Sequence, residues 1–271
     1  MAKSNIKNQI SKIKKLERIL RSLESAVIAY SGGVDSTFLL KIAIDTLGKE
    51  NVLAVIAKSE TYPSRELKNA KLLAEDIGAN YKVISTKEID IKGYRENPIN
   101  RCYFCKKELM KRLKEIAVKN RLENVIDGTN YDDRLDIRYG KKALVELGIK
   151  SPLFEAKITK NDIRSLSKEL GLPTYNKPSF ACLASRIPYN SIITKDRLKR
   201  IERAEDYIKK LGFKQVRVRD YDNLARIEVE KNEIKKFLRR DTGKIQKRFN
   251  NLGYRYVTLD LEGYRTGSMN I

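Results

Sequence analysis

The apolar positions of this chain follow two rhythms, one helical and one of short unbroken runs. Ile6, Ile10, Ile13, Leu16 and Leu20 recur at helical spacing and predict a basic amphipathic N-terminal helix whose apolar stripe needs a cover. Residues 26–30 (AVIAY) form a mostly apolar run, the pattern of a buried strand, and Thr37, Phe38, Leu39, Leu40, Ile42, Ala43 and Ile44 continue at helical spacing. The same order repeats with a strand at 51–59 and a helix at 64–78, with Pro63 near its start and Gly78 near its end. A third strand follows at 81–86. Such alternation calls for a parallel sheet with helices on both faces and right-handed crossovers, an α/β doubly wound fold.

A loop and a long helix beginning near Cys102 interrupt this rhythm, and 123–133 returns to a strand followed by a polar turn. A short helix at 141–147, a strand-like SPLFEA at 151–156 and a helix at 160–170, closed by Gly171 and Pro173, complete the expectation for the first part. Residues 175–190 (YNKPSFACLASRIPYN) are irregular and read as a junction that also carries chemistry. Beyond them, helices at 195–211, 233–240 and 244–252 and strands FKQVRVRDY, LARIEVE and YRYVTLDLEGY predict a smaller α+β domain. The expected division is therefore 1–185 and 186–271.

Composition narrows the chemistry. With 41% hydrophobic and 34% charged residues the chain is globular, and its 271 residues can bury a full core. No run approaches the ~18 apolar residues of a membrane span, and the N-terminus lacks a signal-peptide core, so a cytoplasmic protein without membrane partners is expected. The net charge of +22 is spread along the chain: residues 191–271 carry 21 Lys/Arg against 12 Asp/Glu, and the preceding 190 carry 36 against 23. A diffuse positive field and a polyanion-binding surface explain this equally well. Histidine is absent, which excludes Ser-His and Cys-His nucleophile pairs and His metal ligands. Carboxylates, Lys/Arg, thiols, a metal or a nucleotide must do the work.

The strand-to-helix turn Ser31-Gly32-Gly33-Val34-Asp35-Ser36 is built for phosphate. Two glycines allow close backbone approach, and the following helix aims its first N–H groups at the same spot. Neither GxxxxGK[ST] nor GxGxxG is present. Gly128-Thr129-Asn130 falls at the carboxyl end of a later strand, the ligand edge of such a sheet. The three cysteines are Cys102 and Cys105, as Cys-x-x-Cys, and the distant Cys182. They are too few for a disulfide framework or an all-Cys zinc site, whereas an iron–sulfur cluster on three thiolates would keep one open iron. Packing as small hydrophobes is the alternative. Arg101, Lys106, Lys107 and Arg186 adjoin the thiols and would favour their thiolates.

SGGVDS resembles the pyrophosphate-loop motif of ATP pyrophosphatases. Together with RCYFCK, DGTNYDD, SPLFEAKITKNDIR, KPSFACLASRIPY, RVRDYDNLARIEVE and LEGYRTGSMN, it makes essentially the whole chain resemble a LarE-type ATP-utilising sulfur transferase of nickel-pincer nucleotide cofactor synthesis. The resemblance implies an adenine nucleotide α hydrolase-like fold in the first domain. It also implies ATP held by Ser31, Gly32, Gly33, Asp35 and Ser36, with Gly128 and Thr129 near the nucleotide and Asp35 placing Mg²⁺. A carboxylate of a pyridinium biscarboxylate mononucleotide would attack the α-phosphate, and sulfur would convert the acyl-adenylate to a thiocarboxylate. Family members with only the cysteine matching Cys182 are thought to sacrifice its sulfur. Members with the pair as well are thought to hold a [4Fe-4S] cluster, here on Cys102, Cys105 and Cys182.

The resemblance further implies a homo-oligomer, a sulfide or persulfide donor, and a substrate-phosphate site formed by Arg217, Arg219, Arg226 and Glu228, whose guanidinium forks suit phosphate. A solvated strand face is the plain alternative for those four. Three rival functions remain. A tRNA thiolation enzyme would suit the charge, an amidating synthetase would need no cysteines, and a non-catalytic nucleotide- or RNA-binding protein would release no pyrophosphate.

Overall fold

The computed structural model describes residues 2–135, 139–265, 268 and 269, and side chains from residue 9 onward except that of Leu135. These residues divide into two compact units. The first takes 1–59, 64–86 and 100–180, and the second takes 60–63, 87–99 and 181–271.

In the first unit α1 (Ala2–Arg21) precedes β1 (Ala26–Ala29), α2 (Val34–Leu47), β2 (Val52–Lys58), α3 (Ser64–Asp76) and β3 (Tyr81–Ser85). Then come α4 (Arg101–Lys119), β4 (Asn124–Ile126), α5 (Tyr139–Glu146), α6 (Pro152–Glu155) and α7 (Lys160–Glu169). The four strands are parallel in the order β3-β2-β1-β4. Successive side chains of the sheet feed opposite cores, as a two-sided parallel sheet requires. Ala26, Ile28, Ala54 and Ile56 join Leu16, Leu20, Phe38 and Leu39 on one side. Val27, Val55 and Val125 join Met110, Leu113 and Leu144 on the other. The α1 stripe is covered at Leu16 and Leu20, but Ile10 is half exposed, and the Ile6 side chain lies outside the described residues.

SPLFEA is not a strand. Pro152 at the first helical position presets the backbone for a turn of helix, and only an isolated bridge from Lys150 to Ile126 extends the sheet there. The strand order reverses between β1 and β4, so the loops after these two strands open onto the switch point where ligands of such sheets bind.

In the second unit α8 (Lys195–Lys210) is followed by β5 (Val216–Tyr221), β6 (Leu224–Val229), α9 (Ile234–Leu238), α10 (Thr242–Asn250) and β7 (Tyr256–Leu259). β6 lies between β5, antiparallel, and β7, parallel. Val216, Val218, Ala225, Ile227 and Val229 pack on Ala204, Ile208, Phe213, Phe237 and Phe249. The two excursions from earlier in the chain are sewn in by hydrogen bonds. Buried Asn97 donates to the carbonyls of Ile187 and Pro188 at 3.2 and 2.7 Å, and the Leu183 amide donates to the Thr61 carbonyl at 2.8 Å.

Candidate active site

The glycine turn is fixed by what lies beneath it. Gly32 has φ +59°, and a Cβ there would sit 2.7 Å from the Ala70 Cβ on α3, so this position needs glycine on both conformational and steric grounds. Gly33 caps α2 with no side chain to bond the first-turn amides, which leaves that end suited to an anion. The Ser36 hydroxyl lies 3.3 Å from the Gly33 carbonyl and 3.2 Å from the Ser31 hydroxyl, and accepts from the Ser31 amide. Gly128, in the loop after β4, presses on the same helix end: a Cβ there would lie 3.1 Å from the Ser36 amide nitrogen. The structure therefore brings Ser31, Gly32, Gly33, Asp35, Ser36 and Gly128 together.

One oxygen of Asp35 accepts from Lys160 Nζ at 2.6 Å, while its Oδ1 is buried and accepts no hydrogen bond. A carboxylate oxygen left unsatisfied beside a phosphate-type loop is suited to a hard cation such as Mg²⁺. Lys177 donates to the Gly32 carbonyl at 3.0 Å and pairs with Glu66 at 2.8 Å. Neither lysine was legible in the sequence, because the partners lie 125 and 145 residues away. The one signal for Lys160 is its place beside the Thr159–Asp162 capping box, which starts α7 there.

Asp127, one residue before Gly128, was also missed. It is buried, accepts from the Thr129 and Ser151 hydroxyls at 2.7 Å each, and pairs with Lys106 at 3.1 Å. Burial pushes its carboxyl up, but the Lys106 charge and the hydroxyl bonds outweigh it and hold the group below the usual aspartate range. Thr129 is thus oriented by Asp127. Tyr30, at the end of β1, stays a neutral phenol, pushed up to about 12 by burial against a weak bond with Thr37.

Cys102 and Cys105 stand three residues apart on the first turn of α4, exposed and half-buried respectively, on one face of that helix. Cys182 is a half-buried free thiol in the second unit, heading the 3-10 turn Leu183–Arg186. Among the described residues no three Cys, Asp or Glu side chains are grouped around a common metal position. Of the four expected cationic neighbours of the thiols, three pair with carboxylates: Lys106 with Asp127 and Lys107 with Glu146, each at 3.1 Å, and Arg186 with Glu205 at 2.8 Å. Arg101 is buried on the first turn of α4.

In the second unit the β5–β6 register sets Arg217 opposite Glu228 and Arg219 opposite Arg226, placing all four on one sheet face. Glu228 is fully buried. It accepts both prongs of Arg219 at 2.9 and 2.7 Å, and also Arg226 at 3.1 Å and the Ser268 hydroxyl at 3.1 Å. Arg217 lies over the Tyr264 ring at 5.1 Å and is shifted below the usual guanidinium value by burial and by the nearby Arg186 charge. Asp260 also pairs with Arg226 at 3.5 Å, so two carboxylates face three guanidinium groups and the cluster keeps a net positive charge. On the neighbouring helix Arg197 and Arg200 both bind buried Asp220, which also accepts from the Tyr254 hydroxyl.

A parallel sheet reversing its order at a glycine turn, with an unsatisfied aspartate oxygen at the head of the next helix, defines a pyrophosphate-loop ATP-binding protein. The family model of NAD synthase matches residues 7–236, and the chain belongs to that family. It is 40% identical over 251 residues, 93% of this chain and 91% of the relative, to the pyridinium-3,5-bisthiocarboxylic acid mononucleotide synthase of Lactiplantibacillus plantarum. An uncharacterised protein of Synechocystis is 45% identical over 96% of this chain and 97% of its own length. An ammonia-dependent NAD synthetase of Methanococcus aeolicus is 30% identical over 55% of this chain and 61% of its own. The protein is an ATP-utilising enzyme of LarE type. No helix among the described residues is long and apolar enough to cross a membrane.

Proposed function

We propose that the protein adenylates a carboxylate of pyridinium-3,5-biscarboxylate mononucleotide and converts it to a thiocarboxylate. The observation that carries this reading is the end-to-end similarity to the pyridinium-3,5-bisthiocarboxylic acid mononucleotide synthase, against partial matches to the amidating NAD synthetases. In this reading Ser31, Gly32, Gly33, Asp35 and Ser36 hold ATP, with Gly128 and Thr129 near the nucleotide, and Asp35 would place Mg²⁺, which supplies charge neutralisation at the phosphates. The substrate carboxylate oxygen attacks the α-phosphorus and pyrophosphate leaves. A sulfur lone pair then forms the C–S bond as the C–O bond to AMP breaks, with no net redox change. The Arg217, Arg219, Arg226 and Glu228 face of the C-terminal domain binds the substrate phosphate, and that domain serves oligomerisation.

Three cysteine thiols in a chain without histidine are a donor set suited to iron–sulfur chemistry and short of a four-ligand zinc site. In this reading Cys102, Cys105 and Cys182 would hold a [4Fe-4S] cluster, which supplies an open iron position for a sulfide. The reaction is assigned to the cytoplasm, with sulfide as donor, or a persulfide whose S–S bond is then cleaved by a two-electron thiol reductant. Anaerobic purification with iron and acid-labile sulfide analysis tests the cluster. About four irons per chain, lost in Cys102→Ser, is the expected result. No iron, with Cys182 converted to dehydroalanine after turnover, overturns the cluster in favour of a sacrificial thiol.

A further inference from the structure

Among the described residues the largest fully buried side chain is a charged one, Arg186. Its guanidinium spans two tasks. On one side Nε and Nη2 donate to the two oxygens of Glu205 at 2.8 and 3.3 Å. On the other, Nη1 donates to the carbonyls of Ala181 and Cys182 at 2.8 and 3.0 Å and to the Ser185 hydroxyl at 2.9 Å. Ser185 turns back on the same spot, donating to the Cys182 carbonyl from its hydroxyl at 2.8 Å and from its amide at 3.0 Å. The peptide of Cys182 is therefore gripped by three donors.

The grip extends to β5. Glu205 Oε1 also accepts from the amide of Val218, between Arg217 and Arg219, at 3.1 Å. Arg219 Nη1 donates to the Ser185 carbonyl at 3.0 Å, so the turn that begins at Cys182 is tied to this strand once directly and once through Glu205. A buried ion pair is a poor device for stability, since apolar side chains of equal volume serve as well or better. What a planar five-donor fork offers instead is geometry, which a lysine ammonium cannot reproduce.

We infer that Arg186 and Glu205 are positioning residues that hold Cys182 in fixed register with the Arg217/Arg219 strand, so that sulfur delivery depends on them and adenylation does not. This rests on the reading of Cys182 as a sulfur-handling residue. The test compares wild type with Arg186→Lys, Glu205→Gln and Ser185→Ala in the full chain. Three quantities are measured: hydrogen–deuterium exchange across 181–186 in the protein alone, acceptor-dependent AMP release, and thiocarboxylate formed per AMP.

The expected result for R186K and E205Q is faster exchange across 181–186, an unaltered KM for ATP and rate of AMP release, and thiocarboxylate per AMP reduced by about tenfold or more. Unaltered exchange, or a parallel loss of AMP release and thiocarboxylate, overturns the inference. A wild type that releases AMP but makes no thiocarboxylate defeats the sulfur-transfer reading instead, and the exchange comparison then decides the clamp alone. Should R186K fail to fold, S185A, lacking a single hydroxyl donor to the Cys182 carbonyl, is expected to show the same pattern more weakly. No change in its exchange overturns the clamp.

Discussion

Replacing Gly32 by alanine perturbs the loop in two separable ways. The backbone has φ +59°, where an L side chain costs about 1–2 kcal/mol. The added methyl also meets the Ala70 Cβ at 2.7 Å and its Cα at 2.8 Å, and overpacking of this kind costs roughly 1–3 kcal/mol. Gly148, with φ +65° and nothing within 4 Å of its would-be Cβ, isolates the first contribution. In urea denaturation Gly148→Ala is expected to lose about 1–2 kcal/mol and Gly32→Ala about 2–5 kcal/mol. Whatever part the loop absorbs by moving off α3 appears in ATP affinity, about tenfold for each 1.4 kcal/mol. Equal destabilisation of the two variants with unchanged ATP affinity would refute the claim that α3 braces the phosphate loop.

Lys160→Met removes the 2.6 Å partner of Asp35 from a partly exposed pair, so stability should change by about 0–1 kcal/mol while the KM for Mg-ATP rises; an unchanged KM would separate Lys160 from the nucleotide site. Asp220→Asn leaves Arg197 and Arg200 short of their buried counter-charge, and a loss of about 3–5 kcal/mol is expected in equilibrium denaturation. Asp127 titrates below its ordinary value in the folded state, so its ionised form contributes stability above about pH 4 that is lost as pH falls through the folded value. The stability gap between wild type and Asp127→Asn should therefore shrink on acidification below about pH 4, and a gap that widens there would contradict the assigned ion pair with Lys106.

What could be read from the sequence was local. The strand, turn and helix around SGGVDS carry their signal within some twenty residues, and DGTN announces itself by following a short apolar run, so the ligand edge of the sheet was legible. SPLFEA misled because six residues are too few to separate a strand from a helical turn started by proline. The pairs that set the charge of the site, Lys160 with Asp35, Lys177 with Glu66, and Lys106 with Asp127, join distant segments, and no periodicity encodes them. The excursions 60–63 and 87–99 belong with the second unit through main-chain and Asn97 bonds, which composition does not mark. The β5 and β6 arginines and Glu228 were visible as alternating positions, but the burial of Glu228 and its pairing with Arg219 and Arg226 follow only from the structure.

The central claim is that ATP activates a carboxylate for attack by sulfur. Incubating the anaerobically prepared protein with Mg-ATP, pyridinium-3,5-biscarboxylate mononucleotide and sulfide, and following AMP and the acceptor by mass spectrometry, tests it most directly. The account predicts AMP released only with the acceptor present, matched by a product in which sulfur replaces one carboxylate oxygen. Acceptor-independent AMP, or an amide in place of the thiocarboxylate when ammonia is supplied, would contradict it.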